Sequence, residues 1–153
     1  MKIKGFVLQH DQSDCGVACL LSLIQYYKGT NSLEKLRELS GTSKQGTTLL
    51  GLYQAANQLG FNAQGNEADI QAIIDHSEPL ILHVVIEEHL EHYVICYAYK
   101  EGKFIIGDPA KGITSFTAQE LEKIWKSKTC LTLSPNDKFV KDDDNKKDKN
   151  NGL

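Results

Sequence analysis

No apolar run in the sequence approaches the roughly 20 residues that a membrane-spanning helix requires. The best candidate, residues 80–86, carries His83 inside it. The long apolar segment of an export signal is also missing, because the opening residues turn polar at Gln9, His10 and Asp11. A soluble, unexported chain is therefore expected. No Cys-x-x-Cys pair occurs among the four cysteines, at 15, 19, 96 and 130, which removes the usual zinc-finger spacings. Three of them fall within apparent helices or strands, so reduced thiols are expected rather than disulfides. Neither charge sign dominates: the formal net charge is −3, and no patch interleaves basic and aromatic residues, which argues against a nucleic-acid partner. Internal repeats are absent.

What is present is enough apolar residue for one core. At 153 residues with 41% hydrophobic composition, the chain supports a single domain. Val17, Leu20, Leu21, Ile24 and Tyr27 recur at the spacing of a buried helix face, with Ser13 or Asp14 as the expected cap and Lys28-Gly29 as the stop. A second helix is predicted from a Ser32 cap to Gly41, a third from Thr48 to Gly60, and a shorter one over 68–76. After Pro79 the period changes to that of strands, over 80–86, 92–99 and 104–108. Thr117-Ala118-Gln119-Glu120 reads as a capping box opening another helix, and 129–133 as a last strand. Helices first and strands later give an α+β class, with N-terminal helices packed on an antiparallel sheet. Apolar signal fades from Asn136, and residues 141–151 are a mixed-charge stretch without aromatics. The domain is expected to span 1–137, with 138–153 a disordered tail or linker.

The chemistry centres on Gln9 to Gly16. Cys15 falls at a helix start, where unpaired N–H groups and the positive end of the macrodipole favour a thiolate. A thiol nucleophile needs a base and the base an orienting partner. His92 and Asp108 lie on one predicted hairpin and can supply both, while Gln9, with the Cys15 N–H, can donate to an oxyanion. Asp14 is read as a cap, since an anion acting beside the thiol would disfavour its ionised form.

Whether His92 and Asp108 share a face depends on the hairpin loop. A two-residue loop pairs Lys100 with Lys103 and Ile95 with Asp108, sending the two side chains to opposite faces. A three-residue loop, with Gly102 in a left-handed bulge position, pairs Val94 with Asp108 and places His92, Val94, Cys96 and Ala98 beside Asp108, Ile106 and Phe104. The second register is expected.

Other polar residues have blander readings. Cys19 is taken as a small apolar core residue rather than a redox partner of Cys15. His10, His76 and His83 are read as surface or satisfied core histidines. The run Glu87-Glu88-His89-Leu90-Glu91-His92 lacks the helical His spacing of a metal site, so no metal or cofactor is expected.

Gln9-x-Asp11-x-x-Asp14-Cys15-Gly16-x-Ala18-x-Leu20, then His92-Tyr93-Val94 and Gly107-Asp108-Pro109, closely resemble the bacteriocin-processing cysteine peptidase domain of peptidase-containing ABC transporters, over about residues 3 to 134. The resemblance implies a papain-like fold, a Cys15-His92-Asp108 triad and Gln9 in the oxyanion hole. It implies cleavage of leader peptides from secreted peptide precursors after a double-glycine-type motif. It further implies transmembrane and ATP-binding domains as partners in a dimeric transporter, on the cytoplasmic side of the bacterial inner membrane. Degenerate relatives lacking the cysteine only dock the leader; that non-catalytic role is the alternative, with a papain-like acyl transferase as a further rival. Cys15 is retained here.

Overall fold

The computed structural model describes residues 3–142. Its elements follow the order of the sequence periods: α1 (Cys15–Tyr26), α2 (Leu33–Ser40), α3 (Leu49–Gln58), β1 (Phe61–Glu67), α4 (Ile70–Asp75), β2 (Leu80–Ile86), β3 (Leu90–Lys100), β4 (Lys103–Asp108), β5 (Gly112–Phe116), α5 (Ala118–Ile124) and β6 (Thr129–Pro135). The strands form one sheet in the order β1-β6-β2-β3-β4-β5, with antiparallel neighbours throughout. The α+β class is thus observed.

Side-chain alternation gives the sheet two apolar faces. Ile81, Tyr93, Ile95 and Leu131 face α1, α2 and α3 through Leu20, Leu23, Leu36 and Leu52. Leu82, Val94, Phe104 and Ile106 face Ile73 of α4 and Leu121 of α5, with Trp125 just beyond it. Most expected caps are in place. The Ser32 hydroxyl accepts from the Lys35 N–H, Thr48 from the Gly51 N–H, and Thr117 and Glu120 form the anticipated capping box.

Two strands escaped the sequence reading. β1 reads Phe-Asn-Ala-Gln-Gly-Asn-Glu, with only Phe61 and Ala63 buried, and is a strand because β6 supplies its ladder. β5 is likewise an edge, with Ile113, Thr114 and Ser115 exposed. Edge strands need little apolar periodicity, so their pattern is faint.

The hairpin of β3 and β4 corrects the expected loop. Lys100 pairs with Lys103 and Tyr99 with Phe104, which leaves a two-residue loop of Glu101 and Gly102 at φ 54° and 78°. Positive φ at both central residues matches the twist of the strands. Taken alone, this loop would set Ile95 opposite Asp108. Instead the register shifts between Cys96 and Ala98, with Tyr97 as the extra residue, and Ile95 pairs with Gly107. Val94 therefore comes level with Asp108, as anticipated, through a bulge rather than a longer loop. Ala98 moves to the other face, opposite Ile105, and leaves the set with which it was grouped.

The C-terminal boundary also moves. The Asn136 N–H donates to the Gly60 carbonyl at 2.8 Å and the Asp142 N–H to that of Lys28 at 2.7 Å. Phe139 packs at a tilt against Phe61, with ring centroids 4.9 Å apart. A Cβ on Gly29 would lie 2.6 Å from the Phe139 ring, and one on Gly60, at φ +92°, 2.5 Å from the Phe139 nitrogen. Residues 138–142 thus belong to the packed body instead of the expected tail, because one aromatic in a charged stretch makes no periodic signal. The rest of that tail, 143–153, lies outside the described residues. Deleting 138–153 is expected to cost about 1–2 kcal/mol in urea unfolding, from loss of the half-buried Phe139.

Candidate active site

Cys15 is the first residue of α1 and 6% exposed. A 3-10 turn, Gln12–Asp14, leads into it. Asp11 caps that turn by accepting from the Ser13 N–H at 2.9 Å, while the Asp11 N–H donates to Asp14 Oδ2 at 3.3 Å. This corrects the expected cap. Neither Ser13 nor Asp14 caps α1 through its side chain; Asp14 occupies the position before the helix but makes no capping bond to it. Its carboxylate, fully buried, instead receives Arg37 from α2, with Nε to Oδ1 at 2.8 Å and Nη2 to Oδ2 at 2.6 Å. Arg37 has no sequence signal, since a basic residue in the last turn of an amphipathic helix reads as an ordinary solvated charge.

The second half of the site comes from the hairpin. His92 Nε2 bonds Asp108 Oδ1 at 2.7 Å, and both residues are buried. Asp108 Oδ1 also accepts from the Ala110 N–H at 2.9 Å. Cys15 also acts on the His92 imidazole, through a side-chain hydrogen bond and through charge. Burial alone would push the His92 pKa down, but the bonds to Asp108 and Cys15 outweigh it and lift the imidazole to about 9. Burial works against ionised Asp108 too, yet the His92 and Ala110 bonds leave its pKa below the usual carboxylate value. The pair is built to hold an imidazolium.

The other thiols differ in kind. Cys19, Cys96 and Cys130 are buried, and burial pushes each pKa up, Cys96 to about 12. They remain protonated core residues, as read for Cys19. All four cysteines are free, as expected.

Gln9 sits in a segment bound to both halves of the site. The Val7 N–H donates to Ser22 Oγ at 2.9 Å on α1, and the Gln9 N–H donates to the Pro109 carbonyl at 2.8 Å, one residue past Asp108. Gln9 Oε1 is buried without a partner among the described residues. Gly107 needs its bare Cα here: a Cβ would lie 2.7 Å from the Tyr97 ring and 2.8 Å from that of Phe6. Bulge, N-terminal segment and Asp108 are thereby packed as one unit.

A third wall was beyond the reach of sequence. Thr47 is buried, its carbonyl accepts from the Tyr93 hydroxyl at 2.9 Å, and a Cβ on Gly16 would meet Thr47 at 3.2 Å and Tyr93 at 3.3 Å. The loop around Gly46 and Thr47 is therefore pressed against the start of α1. His83 pairs with exposed Glu91 at 3.3 Å, and His92 is committed to Asp108. No group of residues suited to a metal occurs among the described residues.

A thiol at a helix start, facing an imidazole oriented by a carboxylate, is the arrangement of a papain-like cysteine peptidase. The chain belongs to the peptidase C39 family, whose model matches residues 4–138. It is 37% identical over 125 residues to the lactococcin-G-processing and transport ATP-binding protein LagD of Lactococcus lactis subsp. lactis, covering 80% of this chain and 18% of that one. Identity to the pediocin PA-1 transport/processing ATP-binding protein PedD of Pediococcus acidilactici is 35% over 140 residues, covering 89% of this chain and 19% of the relative. The chain thus spans about a fifth of the length of these relatives. Among solved structures, the peptidase domain of Streptococcus ComA superposes with a TM-score of 0.78 at 36% identity, over 85% of this chain and 97% of that one. A double glycine motif protease from an AMS/PCAT transporter, in complex with a leader peptide, superposes with a TM-score of 0.77 at 27% identity, over 85% and 90%. No helix among the described residues is long and apolar enough to cross a membrane.

Proposed function

We propose that this domain is an endopeptidase that removes leader peptides from bacteriocin-type or other secreted peptide precursors, cutting after a double-glycine-type motif. The observation that carries it is the 2.7 Å His92–Asp108 bond beside Cys15, which keeps an imidazolium available to a thiolate. In the proposed reaction the Cys15 thiolate attacks the carbonyl carbon of the second glycine, forming a thioester there. The Gln9 side-chain amide and the Cys15 N–H donate to the oxyanion, and His92 passes its proton to the leaving amine. Water, deprotonated by His92, then hydrolyses the thioester and frees Cys15. Asp108 holds the ring throughout.

Supporting the substrate class are the relatives named for lactococcin-G processing and transport and for pediocin PA-1 transport and processing, and the leader peptide bound to the double glycine motif protease. The transport ATP-binding names of the relatives support a partnership with transmembrane and ATP-binding domains of an ABC exporter, which we propose to be dimeric with this domain on the cytoplasmic face. The test is mass spectrometry of a double-glycine precursor incubated with the protein. Two product masses separated at the bond after the second glycine are expected. An uncut but bound precursor would favour a docking role, and a product carrying an added amine would favour acyl transfer; either result overturns the proposal.

A further inference from the structure

We propose that Arg37 is a positioning residue of this peptidase: its two-pronged bond to Asp14 fixes the direction of that carboxylate and keeps its charge from the Cys15 thiolate. The inference rests on the reading of Cys15 as nucleophile. Asp14 is adjacent to Cys15 in the chain, fully buried, and makes no capping bond to α1. Its carboxylate is held by Arg37, at 2.8 and 2.6 Å, and by the Asp11 N–H, at 3.3 Å. A buried carboxylate beside a nucleophilic thiol is a poor neighbour, because a like charge disfavours the ionised form. A planar guanidinium meeting both oxygens cancels that charge and fixes the carboxylate's direction, which an ammonium cannot do equally.

The charged and titratable groups around this pair come from several elements. Glu34 on α2 and Asp11 ahead of the 3-10 turn act on Arg37 besides Asp14 itself. His92 and Tyr93 on β3 and Cys19 on α1 interact with Cys15, and Asp108 at the end of β4 reaches Cys19. Arg37 supplies the guanidinium among them. Its hydrogen bonds reach the site through Asp14, from a position 36% exposed at its side chain, so its removal opens no large cavity.

The test reads the thiol without any peptide. Iodoacetamide alkylation of Cys15, followed at pH 7 by peptide mapping, is expected to slow about tenfold in Arg37→Met. Cleavage should lose kcat by a similar factor with KM within about twofold. In the double variant Asp14→Asn/Arg37→Met, alkylation should return to within about threefold of the parent, since the offending charge is gone. Alkylation of Arg37→Met at the parental rate would overturn the proposal. So would a double variant as slow as the single one, the result of a merely structural role. Should Arg37→Met fail to fold, Asp14→Asn decides: alkylation at least as fast as the parent supports the proposal, and slower alkylation overturns it. Uncut precursor in the parent would refute the peptidase reading while leaving this alkylation series interpretable.

Discussion

Cys15→Ala is expected to leave a double-glycine precursor uncut, with the rate falling by more than about 10⁴-fold to background. Cys15 is the thiol that His92 touches, and the other three are held protonated by burial. None can substitute for it. The substitution removes one sulfur from a helix start without disturbing the Asp11 cap or the Arg37–Asp14 bond, so the fold should persist. Melting within about 4 °C of the parent would establish this, since roughly 1 kcal/mol shifts a domain of this size by that much. Undiminished product masses from the variant would remove Cys15 from the mechanism.

Asp108→Asn should cut kcat/KM by about 10²–10³-fold, within the range of a general acid–base contribution. The amide can still accept a hydrogen bond from His92, but it lacks the charge that stabilises the imidazolium. The alkaline limb of the pH–rate profile, governed by the coupled Cys15–His92 pair, should move from near 9 toward 6.5. Stability carries the same signature. A histidine whose folded pKa is raised contributes stability that is complete below its unfolded value, about 6.5, and lost as pH rises through 9. The parent's melting temperature should therefore fall across that window, and that of the variant should fall less. Asp108, its own pKa lowered, adds stability above the usual carboxylate value and loses it on acidification. An unmoved alkaline limb in the variant would show that Asp108 does not govern His92.

The legible parts of the fold were those with local chemistry. α2, α3 and α5 announce themselves by Ser32, Thr48 and Thr117, whose hydroxyls bind first-turn N–H groups within a few residues. β2 and the shared core of β3 follow from β-branched runs buried on both faces. The site residues were named by chemical type, and Cys15, His92 and Asp108 do meet. Illegible parts depended on remote partners. β1 is a strand through β6, and Phe139 packs through Gly29 and Gly60, far away in the chain. Arg37 is an undistinguished surface charge until Asp14 is seen beneath it. The cap was misassigned because Asp11, Ser13 and Asp14 are all competent capping types, and only geometry decides which binds what.

The extra residue at Tyr97 behaves like a correction of reading frame. From the tip of the hairpin to Ala98 the two strands count in one phase, and beyond Cys96 they count in another. The phase in force at His92 and Asp108 is thus set by the tip and the bulge together. A lineage that drops Tyr97 and lengthens the Glu101-Gly102 turn by one residue would bring the same two side chains together, whereas either change alone would part them. Hairpins that differ in loop length can accordingly encode one site, and comparison of loop lengths alone would misjudge them.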